Sequence, residues 1–228
     1  MPFRCAFVKR RVCASGACLF FVLSCVCASR VRVFAVPAPA NSSEIRIPCG
    51  VAIAVDGVKS AGEWDNAAVT QFAAAGWNVR VFAKHDAQYI YFDFEGVTHP
   101  GVRLFPEILV DPRNTKSVAW QEGQWWLHVS NNLCEGNGAP NVHERKGKSL
   151  CTHSKPGWDA NNPPEAGTES IEVKISFAKL GAAYSPEMKI GLAFDMTDAT
   201  GKAEQKTYYG PASAKIDSPK TWGVAVLE

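Results

Sequence analysis

Seven tryptophans lie in the 228-residue chain, and Trp120, Trp125 and Trp126 crowd one short stretch of it. A fourth, Trp158, sits among Gly157, Asp159, Asn161 and Pro163. Aromatic faces stack on the C–H faces of sugar rings, while neighbouring amides and carboxylates bond the hydroxyls. Asn131, Asn132, Asp159, Asn161 and Asn162 are close in sequence. Trp158, Trp125, Trp126, Trp120, Asp159 and Asn161 are therefore candidate contacts for a saccharide, with Trp158 the first choice because of its polar surroundings. The competing reading is core. Trp125 and Trp126 are adjacent, so on a strand one must point inward and the other outward. Trp64 and Trp222 read as core.

Other chemistries are less well served. Asp195, Asp198 and Glu63 are candidate calcium ligands, because hard cations take carboxylate and carbonyl oxygens. No EF-hand spacing accompanies them, and solvated acidic turns would look the same. His128, Cys134, His143, Cys151 and His153 gather in one region, but their spacing matches no standard closed zinc site. Haem would need an axial ligand, and only Met188 and Met196 lie in the body, Met196 on the apolar side of its strand. No Cys-x-x-Cys-His is present for covalent attachment. No cofactor is expected, calcium being the one candidate retained. Neither a Gly-x-Ser-x-Gly elbow, a His-Glu-x-x-His pair nor a phosphate loop appears, and His143-Glu144 lacks the second histidine of a zincin. The chain is expected to catalyse nothing.

Charge divides the chain in two. Residues 1–40 hold six basic side chains and no acidic one, whereas the remainder carries 18 basic and 22 acidic residues. That body has no basic stripe for phosphates, so nucleic acid is not an expected partner. The basic start precedes an apolar run over Val12–Ala28, the pattern of a secretory signal over residues 1–28. Val26-Cys27-Ala28 and Ala38-Pro39-Ala40 are both cleavage candidates, the second as late as residue 40. Val22-Leu23-Ser24-Cys25 is a loose lipoprotein box. The run is short for a permanent transmembrane helix, and no other stretch would span a bilayer. An exported protein, in periplasm, envelope or medium, is expected. Residues 29–50 read as a tether and 51–228 as the folded body. Five of the eight cysteines lie in the leader, leaving Cys49, Cys134 and Cys151. Cys134 and Cys151 bracket a polar, Gly-rich stretch and are expected to form a disulfide in an oxidising compartment.

Period-two alternation positions these residues. Ile90, Phe92 and Phe94 alternate with Tyr89, Tyr91 and Asp93; Ile171, Val173, Ile175 and Phe177 alternate with polar partners; Ile190, Leu192, Phe194 and Met196 repeat the pattern. Further strands are predicted at Asn78–Lys84, Glu107–Val110, Ser117–Trp120, Trp125–Ser130 and Trp222–Val226. Only 61–68 and 177–180 offer a helical turn. Short strands between Gly, Pro, Asn and Asp turns predict an all-β protein, an antiparallel β-sandwich or barrel. A long polar loop at about 131–169 interrupts the rhythm.

Several motifs follow one another in a familiar order. Val55-Asp56-Gly57, Gly62-Glu63-Trp64 and Ala67-Ala68 come first. His85–Phe92, Glu107-Ile108-Leu109-Val110-Asp111-Pro112, Ser170–Gly181, Ile190–Asp198 and Trp222-Gly223-Val224 come after. The series resembles family 9 carbohydrate-binding modules and their DOMON-like relatives over most of 51–228. The resemblance implies a ligand-binding β-sandwich without catalysis. Sugar-gripping members use two tryptophans as a clamp, one just before the "V-E-I-F-I-D" strand and one in the loop before the last strand. Here those places read Arg103-Leu104-Phe105-Pro106 and Ala214-Lys215-Ile216-Asp217-Ser218, so the clamp does not carry over. An envelope scaffold that has lost the sugar site and a haem-binding redox module are the two alternatives.

Overall fold

The computed structural model describes residues 44–145, 148–161, 170–198 and 207–228. The expected signal over 1–28, its cleavage points and most of the expected tether lie outside these residues. Among the described residues, fifteen strands run in chain order: β1 (Glu44–Ile47), β2 (Ala68–Ala74), β3 (Trp77–His85), β4 (Tyr89–Glu95), β5 (Thr98–His99), β6 (Val102–Asp111), β7 (Trp125–Val129), β8 (Leu133–Asn137), β9 (Glu144–Arg145), β10 (Lys148–Ser149), β11 (Trp158–Ala160), β12 (Ser170–Ser176), β13 (Met188–Asp198), β14 (Thr207–Gly210) and β15 (Gly223–Leu227). The larger sheet has the order β1-β15-β13-β6-β7-β8, with β14 beside β13 and β5 beside β6. The smaller sheet has the order β11-β12-β4-β3-β2. Pairing is antiparallel except at one edge, where β1 runs parallel to β15.

The alternating apolar residues close the sandwich. Phe92, Phe94 and Ile90 of the smaller sheet meet Phe194, Leu192, Ile108 and Leu127 of the larger one in a continuous core. Phe194 stands edge-on to both Phe92 (5.4 Å) and Phe94 (5.5 Å), a favoured geometry for aromatic pairs. Met196 is buried in this core.

Both outer faces are covered as well. Segment 51–67 lies over the smaller sheet, where Ile53, Trp64, Phe82 and Tyr91 pack together. Glu172 fastens that cover: its carboxylate accepts from the backbone N–H of Asp56 (3.2 Å) and Gly57 (3.0 Å) and from Trp64 Nε1 (3.2 Å). Gly57 has φ +80°, and a Cβ there would stand 2.5 Å from Asn161 Nδ2, so the Val55-Asp56-Gly57 turn requires glycine. Over the larger sheet, Leu109, Trp126, Ala193, Ala214 and Trp222 form another apolar cluster with Trp120 and Ile216 packed against it.

Three expectations change. Residues 44–47 are not tether but the edge strand β1, because Ile47 is fully buried in the core. Ser117–Trp120 is not a strand: Asn114 (φ 47°) and Lys116 (φ 54°) turn the chain out of extension just before it. The polar stretch 131–169 is not one loop, since it contributes β8, the β9–β10 hairpin and β11. Cys134 and Cys151 are bonded as a disulfide, and Cys49 is a free, exposed cysteine.

Candidate functional site

Alternation sends Ile108, Leu127 and Phe194 into the core and the residues beside them outward. Register then aligns those outward residues across the larger sheet. Asp195 of β13 faces Glu107 of β6, Glu107 faces His128 of β7, and His128 faces Cys134 of β8. The result is a transverse row, Asp195–Glu107–His128–Cys134, every member of it buried.

Partners within the row are specific. Glu107 accepts from His128 Nδ1 through one oxygen (2.7 Å) and from Trp126 Nε1 through the other (2.7 Å). The His128 ring stacks on Trp126 at 5.6 Å and 20°. Asp195 is different. It has no exposed surface, and neither carboxylate oxygen meets a donor among the described residues. Its neighbour is another carboxylate, Glu107, and two acceptors bond only by sharing a proton. Burial first and the Glu107 charge second push the Asp195 carboxyl up to about 9.

Of two other buried carboxylates, Asp111 shows an ordinary arrangement and Asp93 repeats the shortage of donors at Asp195. Asp111 receives Thr115 N–H and Thr115 Oγ1 (2.7 Å each) as well as Arg113 N–H and Gln124 Nε2, fixing the turn after β6. Asp93, on the smaller sheet, has the Lys59 ammonium 3.3 Å away, although burial still raises its carboxyl to about 6. Two ionised carboxylates directly opposite one another would destabilise an antiparallel pair, so Asp195 is held beside Glu107 in its protonated form.

Next to the row lies Phe105, two residues before Glu107 and thus on the same side of β6. It is half-buried, its ring 6.2 Å from that of His128, and the Arg103 guanidinium lies over it at 5.2 Å. The first clamp position therefore carries an aromatic side chain after all, a phenylalanine. At the second, Ala214 and Ile216 pack into the outer cluster with Trp222. Of Phe105, Asp195 and Glu107, only Phe105 is partly exposed; the carboxylates of Asp195 and Glu107 are buried behind the surface.

The tryptophans predicted from sequence do not form one platform: Trp120 packs against the outer cluster that holds Trp126, and Trp125 against the core that holds Trp158. Trp158 is 2% exposed, faces the main core and donates to Glu135 Oε2 (2.7 Å). Trp126 is fully buried under the outer loops. Neither ring has an open face for stacking: pairing of β11 with β12 turned Trp158 inward despite its polar neighbours. Trp120 is half-buried, edge-on to Trp222 at 5.0 Å, with its Nε1 bonded to Ile216 O (2.7 Å). Trp125 is half-buried in a groove of about 590 Å³ with Arg113, Gln121, Asn137 and Lys179, and Lys179 Nζ stands 4.2 Å over its ring. Asp159 faces Lys174 at 3.7 Å. Asn161 bonds the Glu172 N–H and belongs to the opposite sheet's cover.

The calcium set separates too. Glu63 accepts from Ala54 and Ser60 N–H (3.0 Å each) in the cover of the smaller sheet, and Asp195 lies on the larger one. They cannot share an ion. The Asp198 side chain is outside the described residues. Sequence reasoning named Glu107 and Phe105 only within motifs and His128 only in a zinc reading, and missed that they come together. The signal was there: single polar residues inside Phe105–Val110, Trp125–Val129 and Leu192–Met196, runs that are otherwise apolar on both faces.

No family model and no curated protein matches this chain. Solved structures do. A family 9 carbohydrate-binding module from Caldicellulosiruptor kristjanssonii in complex with cellotriose is similar at a TM-score of 0.58 and 15% identity, covering 81% of this chain and 93% of that one. A structure of such a module from the same organism with glucose gives 0.57 and 15%, covering 81% and 95%. The chain has the β-sandwich fold of these modules. Within that module fold, the carboxylate row lies on the larger sheet and Glu172 on the smaller.

Proposed function

We propose that this protein is an exported, non-catalytic saccharide-binding module whose ligand docks on the outer face of the larger sheet. Phe105, half-buried, offers the apolar ring there, while Asp195 and Glu107, both buried, accept sugar hydroxyls only once the cover over the row opens. The observation that carries this reading is Asp195, a buried carboxylate without a donor, in a fold whose solved relatives were crystallised with cellotriose and glucose. A hydrogen bond to a neutral acceptor contributes about 0.5–1.5 kcal/mol, and a sugar brings several donors. Export is supported by the basic start, the apolar run over Val12–Ala28 and the oxidised Cys134–Cys151 pair. No helix among the described residues is long and apolar enough to cross a membrane.

A second reading puts the sugar in the groove at Trp125, favoured by its volume and half-exposed indole. A glycan array comparing the wild type with Asp195→Asn and Trp125→Ala separates the two. Loss of binding in Asp195→Asn with Trp125→Ala unaffected supports the first. The reverse moves the site to the groove. A blank array on folded wild-type protein sinks both and leaves the envelope scaffold.

A further inference from the structure

Apart from the carboxylate row, another set of chemistry-bearing atoms converges. Cys134 Sγ, Cys151 Sγ and a ring nitrogen of His143 all lie within 4.8 Å of one another. His143 Nδ1 is 3.8 Å from Cys151 Sγ. Two ligands on one tetrahedral zinc ion, a thiolate and an imidazole, stand roughly 3.5 Å apart given the usual Zn–S and Zn–N lengths. The His143–Cys151 distance is near that of a shared ion, and the two sulfurs, bonded to each other here, move apart on reduction to reach it.

The backbone fixes these residues independently of the sulfur–sulfur bond. Cys134 belongs to β8, paired along its length with β7. Next to it, Leu133 and Thr152 exchange two backbone hydrogen bonds (2.7 and 3.0 Å), which hold Cys151 alongside. Leu150 N–H donates to His143 O at 2.8 Å, bringing His143 back to the same point. The imidazole is oriented edge-on to Trp126 at 5.1 Å and to His128 at 5.5 Å. Opening the disulfide therefore frees two sulfurs without releasing the segment that carries them.

We propose that, once a dithiol reductant has opened the Cys134–Cys151 disulfide, Cys134, Cys151 and His143 bind a thiophilic divalent cation of the zinc type. The dithiol supplies two electrons and two protons and becomes a disulfide itself, leaving two thiols on the protein. The cation then displaces both thiol protons, and two thiolates balance its charge. His143 is the third ligand and water the fourth, an N/S donor set that zinc takes readily. Disulfide and metal are mutually exclusive, and either one staples the loop between β8 and Cys151.

The test uses the full chain, reduced with a dithiol, desalted without oxygen and titrated with Co²⁺. A thiolate-to-cobalt charge-transfer band with tetrahedral d–d absorption should grow to saturation at one equivalent and be displaced by Zn²⁺. Oxidised protein should give no band. His143→Ala, at an exposed position, should weaken Co²⁺ binding about tenfold or more, and Cys134→Ser should abolish the band. No band in reduced protein that retains its sheet circular dichroism overturns the proposal. So does an undiminished band in His143→Ala or in Cys134→Ser, which would place the thiolates elsewhere.

Discussion

At Asp195 the larger sheet holds an acid that its surroundings do not answer. Its carboxyl is raised from 3.8 to about 9, so between those values the folded protein keeps a proton the unfolded chain has lost. The associated stability is fully present below the lower value and is lost as pH rises through the higher one. Asp195→Asn, which has no proton to lose, should become progressively more stable than wild type from about pH 4 to about pH 9, by no more than about 1.4 kcal/mol per pH unit. Urea midpoints of both proteins at several pH values check this; parallel profiles would contradict it. If the same variant also loses saccharide binding, stability and function are opposed at one residue. Trp158 is expected to behave in the opposite manner. Trp158→Ala removes a core indole and its bond to Glu135, and should cost about 3–5 kcal/mol. Denaturation that left the midpoint unchanged would show the ring is not core. The polar neighbours of Trp158 hid this in the sequence, since composition around a residue does not say which face of a short strand it occupies. The row at 107, 128 and 195 was hidden for a related reason. Each position is unremarkable alone, and only register across three strands separated by long intervals assembles them.

The elements themselves were more legible than their edges. Alternation marks β4, β12 and β13 because one face of each meets the core, whereas β2, with Gln71 and Thr70 among small residues, carries a weak pattern. Burial on both faces also erased the contrast between inward and outward residues in the second half of β3. The boundary at residue 51 was misplaced because β1 is four residues long and needs its partner to be recognised. Ile47→Ala in this strand should cost about 2–5 kcal/mol, read from the urea midpoint, and an effect near zero would return 44–50 to the tether. Cys134 and Cys151 are 17 positions apart in sequence, and for a loop of that size chain-entropy arguments give about 3 kcal/mol. Reduction in the presence of a chelator should lower the melting temperature, and zinc should restore part of it if the metal replaces the bond.

For the whole molecule, fold class was readable from pattern and motif order, while the ligand face was not, because the two tryptophans that would have announced it are absent. If residues 1–28 or 1–40 are a removed leader, protein recovered from the extracytoplasmic fraction will have an intact mass short of that segment and retain Glu44. A full-length mass there would count against the cleavage sites named above. The parallel pairing of β1 with β15 carries a further consequence, one of timing. Glu44–Ile47 has as its strand partner only Gly223–Leu227, so the earliest described strand waits for the latest. Until Gly223–Leu227 has been made, this edge of the larger sheet stays unpaired and Ile47 lacks its strand partner Leu227. Sequence separation of this kind slows folding. The edge therefore pairs only after every other described strand has been made, so the earliest described strand is the last to find its place.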